Sequence, residues 1–114
     1  MRVRSQRKGN RRAKARQAAK LAEIRAALVA AGFSSTGKQA VVLGIGRSTA
    51  WTVLNSDKRA GPSASVVKRI LSSQKIPTLV RRKFEEYVQE KSRGLYGHSK
   101  ERSMAFSDEF PDLT

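Results

Sequence analysis

The chain has 114 residues, with 24 Lys and Arg against 9 Asp and Glu, giving a formal charge of +15 and no cysteine. One domain fits that length, which argues against a two-domain enzyme with an interdomain cleft. The lack of cysteine excludes disulfides and thiolate metal sites, and His98 alone cannot form a histidine cluster.

No apolar run approaches the ~20 residues needed to span a bilayer. The stretch from Met1 to Lys8 is charged where a secretory signal would be apolar. The expectation is a soluble, cytoplasmic protein. A pI near 11.3 calls for a polyanionic partner, nucleic acid first, because each phosphate met by Lys or Arg releases a condensed counterion. Anionic membrane is the lesser alternative.

Charge is unevenly placed. Residues 1–20 hold nine Lys or Arg and no acid, while the last seven hold Asp108, Glu109 and Asp112 and no base. Like-charged ends stay solvated. Residues 1–11 are therefore expected to form a disordered basic arm and 95–114 a flexible polar, acidic tail, with Gly94, Gly97 and Pro111 supporting the latter.

Between them, 12–94 reads as one helical domain. Ala13 to Ala31 is rich in helix formers, carries Leu21, Ile24, Leu28 and Ala31 on one face, and stops at Gly32. Thr36 with Gln39 fits a capping box opening a short helix through Leu43. Gly44 ends it, and a third helix runs from Arg47 to Asn55. Residues 56–62 form a loop by composition. Ser63 caps a fourth helix to about Ser73, with Val66, Val67, Ile70 and Leu71 inward. Pro77 opens a fifth, through to Gly94, with Val80, Phe84, Tyr87 and Val88 on one face. The fold class is all-α with five helices.

The segment from Gln39 to Asn55 carries most information. A short helix ends at a glycine, Ile45 plugs the corner, and a second helix follows at once. Ala40 keeps the crossing close, while Ala50, Val53 and Leu54 face the core. Arg47, Ser48, Thr49, Trp51 and Thr52 are left toward solvent. A helix-turn-helix needs this division of apolar and polar faces.

On Ala40, Leu43 to Gly46, Arg47 to Thr49 and Val53 to Asn55, the chain resembles the lambda repressor-like helix-turn-helix families. These include xenobiotic-response-element-type regulators and the lac repressor headpiece. The four-helix part of the resemblance covers about residues 21–73. It departs from the pattern in two ways: Gln39 sits where an aliphatic residue is usual, and Val41 and Val42 occupy usually polar places.

The resemblance implies a repressor of phage or mobile-element type that binds pseudo-palindromic double-stranded DNA as a homodimer. It places Arg47, Ser48, Thr49, Trp51 and Thr52 against bases, with Arg47 suited to a bidentate bond to guanine. Thr36, Lys38, Asn55, Lys58 and Arg59 would meet phosphates, as would Arg2, Arg4, Arg7, Lys8, Arg11 and Arg12 of the arm. Trp51 has further readings, as a core filler, a contact with the sugar-phosphate wall or a platform stacked on an unpaired base. The face of Val80, Phe84, Tyr87 and Val88 either closes the core or joins the two copies, and the expectation is the dimer.

No carboxylate pair, nucleophile–base pair, phosphate loop or metal spacing stands out, so no enzyme, cofactor or metal is expected. An architectural or non-specific nucleic-acid binder, and an antitoxin-like adaptor, are the competing functions.

Overall fold

The computed structural model describes residues 2–55 and 61–114, with side chains from Arg11 onward. Six helices and no strand run through these residues: α1 Arg2–Ala30, α2 Thr36–Leu43, α3 Arg47–Asn55, α4 Ala64–Leu71, α5 Thr78–Ser92 and α6 Lys100–Glu109. Among the described residues no helix is long and apolar enough to cross a membrane.

α1 is the spine. Its Leu21, Ile24 and Leu28 are buried, and it packs on both α3 and α5. Its end is closed by two bonds, from the Gly32 amide to the Val29 carbonyl and from the Phe33 amide to the Leu28 carbonyl.

α2 starts one residue earlier than the capping box suggests. Ser35 is the N-cap, its hydroxyl accepting from the Lys38 amide at 3.2 Å. Gln39 turns inward and donates to the Phe33 carbonyl at 2.9 Å, which explains how an amide occupies a buried position where an aliphatic residue is usual. Of the two valines, Val42 joins the core and Val41 stays 64% exposed.

Downstream, Ser63 caps α4, whose Val67 and Ile70 are fully buried. Arg81 from α5 binds the chain at the far end of α4, donating to the Leu71 carbonyl at 2.7 Å and the Ser73 carbonyl at 2.9 Å. A row of ion pairs fastens α1 to α5. Arg16 meets Glu90, Lys20 meets Glu86 and Glu90, and Lys83 meets Glu23.

Three expectations need correction. The basic segment 1–11 is not a separate disordered arm over its described part, because α1 already begins at Arg2; Arg, Lys and Gln are good helix formers and, across Gly9, lead into the alanine-rich stretch. The polar tail is not flexible. Tyr96 and Phe106 are buried, Phe110 nearly so, and α6 packs on α4 and α5. By composition its serines and glycines outweigh its three aromatics, but in the fold those rings meet Tyr87 and one another at centroid separations of 5.2 to 6.2 Å.

The third correction follows from the second. Val80, Phe84, Tyr87 and Val88 are each 0% exposed, because α1 and the C-terminal segment cover them. They close the core of one chain and are not available to join two copies.

One polar cluster lies inside this core. The Tyr87 hydroxyl donates to Gln17 Oε1 at 2.8 Å, and the Lys91 ammonium donates to the same oxygen at 3.1 Å and to the Tyr87 hydroxyl at 3.0 Å. Gly61 closes over it with a positive φ of 64°, and a Cβ there would lie 2.5 Å from the Tyr87 oxygen and 2.6 Å from Gln17 Oε1. Only glycine fits. Burial, with a smaller push from Arg102, lowers the Lys91 ammonium to about 8 and drives the Tyr87 hydroxyl upward.

Two outcomes follow from this core. Phe106→Ala should destabilise the chain by ~3–5 kcal/mol in chemical denaturation, against under ~0.5 kcal/mol were the segment a solvated tail. For Lys91 the folded state binds its proton less tightly than the unfolded state, so stability rises with pH from about 8 towards the ordinary lysine value of 10.5. Stability measured at pH 7.5 and pH 10 should shift in favour of the natural chain over Lys91→Met by about 2 kcal/mol; an unchanged difference would refute the buried-ammonium reading.

Candidate nucleic-acid interface

The candidate interface is built on the corner between α2 and α3. Gly44 adopts the left-handed conformation, φ 69° and ψ 30°, which few side-chain-bearing residues take at low cost. Its amide bonds the Val41 carbonyl at 3.2 Å, and the Ile45 amide bonds the Ala40 carbonyl at 3.1 Å. This pair of bonds is a Schellman closure, and it fixes the direction in which the chain leaves α2. Ile45 then packs against the core, and the Ser73 hydroxyl, from beyond α4, donates to the Val42 carbonyl at 2.7 Å.

α3 begins three residues after Gly44, at Arg47. Ala50 is fully buried and Val53 and Leu54 are each 3% exposed, so one side of α3 is pinned to α1 and α2. The other side carries Arg47, Ser48, Thr49, Trp51, Thr52 and Asn55, all exposed. Trp51 is 55% exposed, so it does not fill a core gap. The base-facing set read from the sequence therefore shares one solvent-facing surface of one short helix.

Of the phosphate set, Lys38 is exposed and Thr36 half-buried in the first turn of α2, where backbone N–H groups are free of intrahelical partners. Arg11 and Arg12 are exposed on α1. Arg2, Arg4, Arg7 and Lys8 belong to α1, but their side chains lie outside those described. Lys58 and Arg59 lie outside the described residues altogether.

Asn55 has a more specific setting than the sequence suggests. Its amide nitrogen donates to the Trp51 carbonyl at 3.3 Å, and its amide oxygen accepts from Arg25 at 3.2 Å. The same guanidinium group donates to the Leu54 carbonyl at 3.2 Å. Arg25 thus binds the C-terminal end of α3 from α1, where a cation also complements the helix dipole. Beside it a concavity of about 450 Å³ gathers Arg25, Ser34, Thr36 and Asn55. Thr36 and Asn55, distant in sequence, are brought to one place, and Arg25 and Ser34 join them. No local pattern marks Arg25; it sits on the polar side of α1 and meets its partners 29 and 30 residues downstream.

Electrostatically the unit is one-sided. The sequence has no acid between Glu23 and Asp57, and none of the ion pairs among the described residues uses Arg25, Lys38 or Arg47. The carboxylates are engaged elsewhere: Glu23, Glu86 and Glu90 lie on the α1–α5 seam, and Glu109 pairs with Lys68 at 3.0 Å. The bond to Lys83 holds the Glu23 carboxyl below its ordinary range, and the Glu90 carboxyl is lowered by Arg16 and Lys20 against the opposing effect of its partial burial.

No protein-family model matches the chain, and neither a curated protein nor a solved structure matches it.

Replacing Arg25 with methionine keeps the stem of the side chain and removes its two bonds. Stability should fall by about 1 kcal/mol in urea, and amide exchange should accelerate at Val53 to Asn55 while the α5 amides stay protected. Uniform acceleration across the chain would show that Arg25 does not act locally on α3.

Proposed function

We propose that this chain is a sequence-specific double-stranded-DNA-binding regulator of lambda repressor-like type that represses by occupying an operator. The observation that carries the reading is the exposure of Arg47, Ser48, Thr49, Trp51 and Thr52 on one face of α3, whose opposite face is locked into the core. A helix presented in this way fits the major groove, which is wide enough to admit it and displays a distinct donor and acceptor pattern for each base pair.

In this mechanism α3 lies in the groove. Arg47 donates both ends of its guanidinium group to guanine O6 and N7, and Ser48, Thr49 and Thr52 meet neighbouring base edges or a thymine methyl. Trp51 lies against the sugar-phosphate wall. The first turn of α2, with Thr36 and Lys38, meets the flanking backbone, and the concavity formed by Arg25, Ser34 and Thr36 meets a further phosphate. The proposed homodimer on a two-fold-related operator needs a contact surface other than Val80, Phe84, Tyr87 and Val88, since those are internal. The function is binding, not catalysis.

Selection of duplexes from a random pool tests the proposal. A recurring sequence should emerge, and Arg47→Ala should relax preference at one position of it, with discrimination there falling by ~1–3 kcal/mol. Uniform recovery of all sequences by the natural chain would instead mark an architectural binder, which the charge of +15 alone would support.

A further inference from the structure

The start of α1 has its own character. A 29-residue helix is about 43 Å long. The molecule measures 47 × 27 × 22 Å, so only a helix running along its long axis fits. The core face of α1 runs through Gln17, Leu21, Ile24 and Leu28. Followed back at 3.6 residues per turn, that line passes Ala13, Asn10, Gln6 and Val3, none of them charged. Arg4, Arg7, Lys8, Arg11, Arg12 and Lys14 take register positions within an arc of about 160° that leaves this line clear. Arg11, Arg12 and Lys14 are exposed, and the ion pairs among the described residues use none of them.

Several effects oppose a helix here. Arg4 with Lys8, Arg7 with Arg11, and Lys8 with Arg12 are like charges four residues apart. The first turn has no acid, so cations sit at the positive end of the dipole. Gly9 costs about 1 kcal/mol against alanine. A row of phosphates along the stripe reverses the first two of these effects.

We propose that the N-terminal half of α1 is a second DNA-binding element, a basic helix laid against the phosphate backbone of duplex DNA, whose helical form is itself required for tight binding. It rests on the reading of this chain as a DNA-binding protein, but not on base reading by α3. Arg4 lies about 32 Å along the axis from Arg25, close to the ~34 Å turn of B-form duplex, so one helix carries cations to phosphates about a turn apart. A flexible arm of equal charge would also meet phosphates, but its affinity would not depend on helix propensity.

The experiment keeps charge constant and changes propensity. Full-length Gly9→Ala and Asn10→Pro are compared with the natural chain on a random-sequence 30-base-pair DNA duplex over a range of salt concentrations. The same titration is run with Arg4, Lys8 and Arg11 all changed to Gln. Thermal melting confirms that the body of the fold is unchanged. Gly9→Ala should bind several-fold tighter and Asn10→Pro about tenfold weaker. The triple variant should lower the slope of log affinity against log salt by about two to three, near 0.9 for each phosphate that is no longer neutralised. Equal affinities for the natural chain, Gly9→Ala and Asn10→Pro would overturn the proposal in favour of a flexible arm. An unchanged salt slope in the triple variant would remove the stripe from the interface. Tighter binding to an RNA duplex of the same length would overturn the choice of DNA. Because the duplex is random in sequence, failure of base reading by α3 leaves these outcomes untouched.

Discussion

The left-handed turn at Gly44 governs the geometry of the candidate interface. Its two backbone bonds stop α2 and set the angle at which the chain proceeds, and everything α3 presents to solvent follows from that angle. Ala40 and Ala50, both buried and both small, let the two helices approach. Arg25 and Ser73 then tie the pair to α1 and to the end of α4. A helix of nine residues is too short to be stable alone, so α3 is helical because its Ala50, Val53 and Leu54 are packed. The exposed polar face is a consequence of that packing.

The distribution of carboxylates has a comparable effect. Nine acids on a chain of charge +15 could have been scattered among the cations. Instead Glu23, Glu86 and Glu90 are drawn to the seam between α1 and α5, and Glu109 to Lys68. Exposed pairs of this kind contribute little stability each, but their placement leaves the α2–α3 segment without a negative charge. The basic N-terminal part of α1 also lacks acids, and one helix joins the two regions. In the proposed complex the DNA meets cations of both regions, with Arg25 on the helix that joins them.

The α2–α3 unit was legible because its signals are local. Gly44 and the apolar spacing of Ala50, Val53 and Leu54 act within a few residues, and the end of α2 and the course of α3 follow from them, while the cap of α2 falls on Ser35, one residue before the Thr36 of the capping box. Long-range matters were not legible. Arg25 reaches Asn55 only because α1 crosses α3. Gln39 reads as a misfit until the Phe33 carbonyl is seen above it. The aromatics of the C-terminal segment sit among glycines and serines, so composition predicts a tail, whereas burial of Tyr96, Phe106 and Phe110 makes a sixth helix. That segment also covers the α5 face. Periodicity identifies such a face as apolar but does not say whether its cover comes from the same chain or another.

Methylation protection tests directly whether α3 lies in the major groove of DNA. On a duplex selected by the protein, dimethyl sulfate reports guanine N7 in the major groove and adenine N3 in the minor groove. Guanine N7 should be protected at the preferred positions, with one guanine exposed again in Arg47→Ala. Protection confined to adenine N3, or a pattern unaltered by the loss of Arg47, would contradict a groove-reading α3.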